Sequence, residues 1–182
     1  SILLEILRDQ REELDTLRSQ RFCKRKEEDM VKLESKKAQV VIGVRRSGKS
    51  TLCFNVLNKA QVKFAYVNFD DERLVRLSAG DLNEVLKCLY QIYGDFTHLF
   101  LDEAQNIEGW HLFVNRLLRQ GMKVFITGSN AKLLSSELST YLTGRYNEIE
   151  LYPFSFREFC EMEEVETTNL STKTDALLRR AF

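Results

Sequence analysis

The sequence predicts a three-layer α/β domain of about five parallel strands flanked by helices, with a charged helical segment in front of it. Three observations lead there. From Gln39 onward, short β-rich runs alternate with helical patterns about a dozen residues long, the signature of a parallel sheet assembled from βαβ units. A glycine-rich loop follows the first of those runs directly. The chain has 182 residues, 43% hydrophobic and 30% charged. That suits one globular domain burying about 70% of its unfolded surface, and not a disordered or fibrous chain.

Taken in order, residues 1–37 carry 19 charged side chains and no proline or glycine, a composition that reads as helix. Leu3, Leu4, Leu7, Leu14 and Leu17 follow a helical face only in part, because Gln10 and Arg11 interrupt the stripe. Lys24-Arg25-Lys26 is followed at once by Glu27, Glu28 and Asp29, so a solvated helix surface is expected there in preference to a phosphate-binding patch. The expected strands are Gln39 to Gly43, Lys63 to Phe69, Thr97 to Leu101, Met122 to Thr127 and Glu148 to Tyr152. Asp81 with Glu84 reads as a capping box for a helix whose apolar face is Leu82, Val85, Leu86 and Leu89, stopped by Gly94. Trp110, Phe113, Val114 and Leu117 recur at i, i+3, i+4 and i+7 with Gly121 as the stop, so Trp110 is read as core. After Pro153, a short helix from Phe156 to Glu161 and a polar, loose stretch from Thr167 to Thr174 are expected.

Charge and cysteine usage exclude several classes. Acidic and basic residues balance at 27 each, so no global positive field gathers nucleic acid or anionic lipid. No apolar run approaches the roughly 18 residues of a membrane helix. Cys23, Cys53, Cys88 and Cys160 form no C-x-x-C pair, which argues against a zinc site or a secreted disulfide scaffold and makes a reducing, cytoplasmic setting the expectation. The chain starts at Ser1 without a signal-peptide pattern and ends at Phe182 on an apolar stretch, so it reads as a piece of something longer.

The chemistry is concentrated in the loop. Gly43-Val44-Arg45-Arg46-Ser47-Gly48-Lys49-Ser50, with Thr51 next, matches G-x-x-x-x-G-K-[ST] after an apolar strand and before a helical pattern. Glycines let the backbone wrap a phosphate chain, amide N–H groups and the helix start face the anion, Lys49 adds a full charge, and the Ser50 hydroxyl can ligate Mg²⁺. Arg45 stands where a dinucleotide fingerprint needs its middle glycine, which excludes that alternative. Arg45 and Arg46 could face a triphosphate or solvent, and both readings stay open. The other half of the site belongs at the end of a neighbouring strand, and His98-Leu99-Phe100-Leu101-Asp102-Glu103 supplies two carboxylates there. Asp102 is the expected Mg²⁺ partner beside Ser50, and Glu103 the group that polarises the attacking water. The bland alternative, two solvated carboxylates at a strand end, is disfavoured once the loop is taken with them.

On these motifs the chain resembles the AAA-type P-loop ATPases. Gly-Val-Arg-Arg-Ser-Gly-Lys-Ser, Leu-Asp-Glu-Ala-Gln, Ile-Thr-Gly-Ser-Asn and Leu-Tyr-Pro-Phe-Ser-Phe-Arg-Glu-Phe are similar, more narrowly, to a group of prokaryotic members that often carry a C-terminal nuclease-like domain. The resemblance covers about residues 39–162. It implies ATP and Mg²⁺ as ligands, ATP hydrolysis, a polar sensor at Asn130 or Ser129, and an arginine finger at Arg145 reaching the site of a neighbouring copy in a homo-oligomer. It also implies a helical lid bearing a second sensor arginine, for which residues 163–182 are too short; Arg179 and Arg180 are not assigned that role. Asn68, at the end of the second strand, is either a polar partner that restrains Glu103 or, on the favoured reading, an ordinary strand-end residue. Asp70, Asp71 and Glu72 read as a solvated loop more readily than as a metal site. His98 and His111 lack ligand spacing and receive no role.

The resulting division is residues 1–37 as the charged segment, 38–162 as the ATPase core and 163–182 as an incomplete linker or lid. Alternatives are a nucleotide-gated interaction module with negligible turnover and a P-loop small-molecule kinase. GTP is disfavoured on the expectation that the chain carries no [NT]-K-x-D guanine-recognition motif; the one literal match, Thr172-Lys173-Thr174-Asp175, corrects that expectation. A protein or nucleic-acid partner stays open, and a membrane partner is not expected.

Overall fold

A computed structural model describes residues 1–18, 24–45, 47–133 and 135–153. Five strands, β1 (Ala38–Gly43), β2 (Phe64–Asn68), β3 (His98–Asp102), β4 (Lys123–Ser129) and β5 (Tyr146–Leu151), form one parallel sheet in the order β2-β3-β4-β1-β5. All five lie within two residues of the expected bounds. Among the described residues, five helices of eight residues or more accompany them: α1 (Ile2–Arg18), α2 (Lys49–Lys59), α3 (Leu82–Tyr93), α4 (Trp110–Arg119) and α5 (Ser135–Leu142).

Strand alternation sorts the apolar residues onto two faces. Val40 and Ile42, Leu99 and Leu101, and Val124 and Ile126 pack with Val85, Leu89, Val114, Leu117 and Leu138 from α3, α4 and α5. Val41, Phe100 and Phe125 point the other way, against Leu52, Cys53, Phe54 and Leu57 of α2. Buried on both faces, the central strands β1, β3 and β4 carry nearly continuous apolar runs, as inner parallel strands do, whereas the edge strand β5 is only partly buried. Each fully buried leucine contributes about 1.5–3 kcal/mol of transfer free energy. Trp110 is in the first of these cores, as its spacing predicted.

Helix α1 crosses the β2 edge of the sheet. Its Ile6 and Leu7 belong to one core and Leu14 to the other. The expected interruption of its stripe at Gln10 is corrected: Gln10 is 0% exposed and completes the face Ile6-Leu7-Gln10-Leu14. Its amide acts as a strand surrogate, with Nε2 donating to Asn68 O at 3.0 Å and Oε1 accepting from Asn68 N–H at 2.9 Å. The otherwise unpaired edge of β2 is closed at that point.

Two further expectations are corrected. The segment holding Lys24-Arg25-Lys26 is not a solvated helix: a 3-10 turn spans Lys26–Met30, and Arg25, Glu27 and Glu28 are buried. The capping box lies one turn earlier, where the Ser78 N–H and hydroxyl donate to Asp81 Oδ2 and Glu84 pairs with Lys87 instead. Gly94, at φ +71°, ends α3 as expected. The helix expected from Phe156 to Glu161 and the polar stretch from Thr167 to Thr174 lie outside the described residues.

Candidate active site

The loop between β1 and α2 has little steric freedom. A Cβ on Gly43 would stand 2.5 Å from the Leu151 carbonyl oxygen and 2.6 Å from Ser47 Oγ, so no larger residue fits at the exit of β1. Gly48 has φ +91°, a conformation that an L side chain disfavours. Lys49 is buried, and its ammonium donates to Gly43 O at 3.0 Å and Val44 O at 3.2 Å. Its third neighbour is Glu103 Oε1 at 3.5 Å. The loop therefore already folds around the spot its lysine occupies.

Above the carboxyl ends of the strands lies a cleft of about 630 Å³, in the range of small-ligand sites. Val44, Arg45, Ser47, Gly48, Lys49, Ser50 and Thr51 line one side, and Asp70, Glu103, Ser129, Asn130, Ala131 and Lys132 the other. Parallel pairing of Gly43 with Ser129 brings β4 level with the loop, which is why Ser129 and Asn130 face it.

Asp102 sits at the base, 4% exposed, inside a cage of hydroxyls. Ser50 Oγ donates to its two oxygens at 2.9 and 2.7 Å, Tyr66 Oη donates at 2.8 Å, and Thr127 Oγ1 donates to Oδ1. Burial pushes the Asp102 carboxyl above its ordinary range, and the three hydroxyl bonds pull the other way by favouring the anion. Burial, then the neighbouring Asp102, pushes the Tyr66 phenol far up, so Tyr66 stays a donor.

Glu103 leaves the strand in the left-handed region, φ 56° and ψ 49°, a conformation that costs a non-glycine residue about 1–3 kcal/mol. Its N–H donates to Thr127 Oγ1 at 2.9 Å, so one hydroxyl braces both acidic residues. Its carboxylate, turned into the cleft, accepts from Gln105 Nε2 at 2.6 Å.

The structure thus brings together Lys49, Ser50, Asp102, Glu103, Ser129 and Asn130. Arg145 is elsewhere. It precedes β5, whose first residue pairs with Ala38 and whose last pairs with Gly43, so it stands about 20 Å along the strand from its own loop. The side chain of Arg46 lies outside the described residues. Asn68 does not restrain Glu103 by the bonds it makes: its backbone is held by Gln10 and its Oδ1 accepts from Asp70 N–H. Asp71 is tied to Arg73 and Gln10, and no group of three or more potential metal-binding residues forms among the described residues.

Sequence reasoning missed Thr127, Tyr66 and Gln105. Thr127 had a signal, being the one polar residue in the apolar run Val124-Phe125-Ile126-Thr127, beside the strand that carries Asp102. Tyr66 had none, since a strand tyrosine is equally a packing residue.

Residues 35–160 match the family model described as "AAA domain". The chain belongs to the AAA domain family. An uncharacterized protein of Methanocaldococcus jannaschii is 42% identical over 134 residues, 73% of this chain and 30% of its own length. An uncharacterized protein of Haemophilus influenzae is 37% identical over 137 residues, 71% of this chain and 34% of its own. A second uncharacterized Methanocaldococcus jannaschii protein is 26% identical over 148 residues. The chain spans about a third of the length of these relatives. Membership of the AAA domain family implies nucleotide binding. No helix among the described residues is long and apolar enough to cross a membrane.

Proposed function

We propose that this domain binds ATP with Mg²⁺ in the cleft and hydrolyses it, coupling turnover to a change in a partner or in the rest of the polypeptide. One observation carries the reading: the loop serine Ser50 bonds both oxygens of Asp102, while Glu103, the next residue, faces the loop lysine Lys49. The donor set fits Mg²⁺, since a hydroxyl and a carboxylate are the hard oxygens that cation takes. Ser50 and Asp102 would hold it, and it would supply charge neutralisation on the phosphoryl oxygens. Lys49 and the amides of the loop bind the phosphates, with Arg45 and Thr51 at the rim. Glu103 accepts a proton from the attacking water, and Asn130 or Ser129 orients the terminal phosphate. Arg145, remote from its own loop, serves the site of a neighbouring copy.

A second reading has its own support. The carboxylate of Glu103 is engaged by Lys49 and Gln105, an arrangement suited to a nucleotide-gated interaction module with negligible turnover. Base identity is a separate question, because the chain's one [NT]-K-x-D match, Thr172-Lys173-Thr174-Asp175, falls outside the described residues.

Steady-state hydrolysis of ATP and GTP by the full-length chain, alone and with DNA, RNA or protein added, tests the reading. Glu103→Gln keeps the shape and removes the proton acceptor, so nucleotide binding persists while turnover falls about 10²-fold or more. Wild-type turnover in that variant removes Glu103 from the mechanism. Partner binding that persists with a non-hydrolysable analogue, without measurable turnover, favours the gated module.

A further inference from the structure

The residues ahead of β1 reach the back of the nucleotide loop through one buried cation. Arg25 is 3% exposed, and its guanidinium divides between two backbone carbonyls. Nη1 donates to Ser47 O at 3.1 Å and Nη2 to Tyr152 O at 2.5 Å. Nη1 also lies 3.5 Å from where a Cβ on Gly48 would stand, so the guanidinium lies close against the Ser47–Gly48 peptide. The segment bearing it is anchored independently. The Arg25 N–H donates to Glu28 Oε2 at 2.8 Å, and Glu28 Oε1 meets the Lys59 ammonium, in the last turn of α2, at 3.0 Å. Glu27 Oε2, 3.7 Å from Arg25 Nε, balances the charge.

We infer that Arg25 is a positioning residue for nucleotide binding, one that holds the Ser47 carbonyl so that the Gly48 N–H is aimed into the cleft. The inference rests on the nucleotide-binding reading of the loop. Its physical basis is the planar trans peptide, in which C=O and the following N–H point in opposite directions. Ser47 C=O and Gly48 N–H belong to one such peptide, so fixing the oxygen from behind fixes the hydrogen in front. Gly48 needs that restraint, because a glycine at positive φ is otherwise free to rotate its flanking peptides. The cation on the carbonyl side also satisfies an acceptor that the loop leaves without a helical or sheet partner. Because the same guanidinium holds Tyr152 O just beyond β5, the loop and the exit of the sheet are set by one group.

The test uses the 182-residue chain of this sequence and its variant Arg25→Lys, which keeps a charge for Glu27 but cannot span two carbonyls as a planar fork does. Ser-Gly occurs once in this sequence, at residues 47–48. Labelling serine with ¹³C at the carbonyl and glycine with ¹⁵N therefore isolates that peptide in a carbonyl–amide correlation spectrum. Arg25→Lys is expected to move this resonance without nucleotide, to reduce its shift on adding Mg-ATP, and to weaken ATP binding about 10- to 100-fold, the scale of one charge-assisted hydrogen bond. Its thermal midpoint without nucleotide should fall, because one buried carbonyl loses its donor, so affinities are compared at a temperature at which wild type and variants are all folded. Arg25→Gln, neutral with a similar stem, is the second variant and should bind no better than Arg25→Lys. Wild-type affinity in both variants overturns the inference, and so does weakened affinity with an unmoved Ser47–Gly48 resonance, which would place the loss elsewhere. A folded wild-type chain that binds no nucleotide overturns it for a different reason, visible in the wild-type titration itself: the reading beneath it has failed.

Discussion

Thr127→Val is the perturbation on which the acidic half of the site can be judged. Valine replaces the hydroxyl by a methyl of nearly the same size, so the packing of β4 is kept while two hydrogen bonds disappear. One is the bond from Thr127 Oγ1 to the buried Asp102 carboxylate, worth about 1.5–3 kcal/mol for a charged acceptor. The other leaves the Glu103 N–H without its acceptor, at about 1–3 kcal/mol for an unsatisfied buried donor. Asp102 retains Ser50 and Tyr66 as donors, so the expected loss is below the sum, about 2–4 kcal/mol. For a domain of this size that is about 4–16 °C in melting temperature. The pH dependence is distinctive. Thr127 favours the anion, so its removal raises the Asp102 carboxyl further above its ordinary range. A carboxyl raised in the folded state contributes stability at low pH that is lost as pH rises through its folded value. The deficit of Thr127→Val is therefore smallest in acid and grows toward neutrality. Urea unfolding of wild type, Thr127→Val and Thr127→Ser from pH 4 to 8 reads it, with serine restoring most of the loss. A valine variant within about 0.5 kcal/mol of wild type at pH 7, the range of an ordinary surface change, would refute the bracing role of Thr127.

The remaining predictions concern the N-terminal helix, its acidic neighbour and the remote arginine. Gln10→Leu keeps the apolar volume of the α1 face but strips the Asn68 N–H and C=O of their partner, and unfolding in urea should show a loss of about 2–4 kcal/mol. Asp71 is held down to about 2, first by its bond to the Arg73 side chain. The stability it contributes is complete above the ordinary aspartate value of about 4 and is lost as pH falls through about 2. Asp71→Asn should thus flatten the acid limb of the wild-type stability curve. For Arg145, mixing inactive Glu103→Gln and Arg145→Ala chains should restore hydrolysis, because the intact finger of one can serve the intact base of the other at a gain of about 10³-fold or more. A mixture that stays inactive despite proven co-assembly returns Arg145 to a structural role.

How much was legible in the sequence differs by kind of interaction. The central strands were legible because both of their faces are buried, which leaves runs such as Val40-Val41-Ile42 and Leu99-Phe100-Leu101 without a polar interruption. The loop was legible because Gly43 and Gly48 are demanded by geometry, a 2.5 Å approach and a positive φ, and geometry of that kind is written locally. Arg145 shows the limit of order along the chain. Its place before β5 could be read, but only the parallel register of β5 on β1 reveals that it stands at the far end of the sheet from its own loop.

The residues that escaped sequence reading have a common physics. Gln10, Arg25 and Thr127 are polar side chains that are buried because each bonds to a backbone group contributed from far along the chain. A periodicity argument counts such residues as breaks in an apolar stripe, since it prices a polar group by its transfer from water and cannot see the bond that offsets that cost. Their targets are the Asn68 N–H at the end of β2, the Ser47 carbonyl in the loop after β1 and the Glu103 N–H just past β3. All three lie at the carboxyl edge of one sheet, where parallel strands stop pairing and their backbone groups would otherwise be free to reorient. A cleft whose chemistry depends on fixed dipoles gains from having those groups held before ligand arrives. The N-terminal segment, which supplies two of the three, is on this argument part of the machinery of the site as well as part of the core.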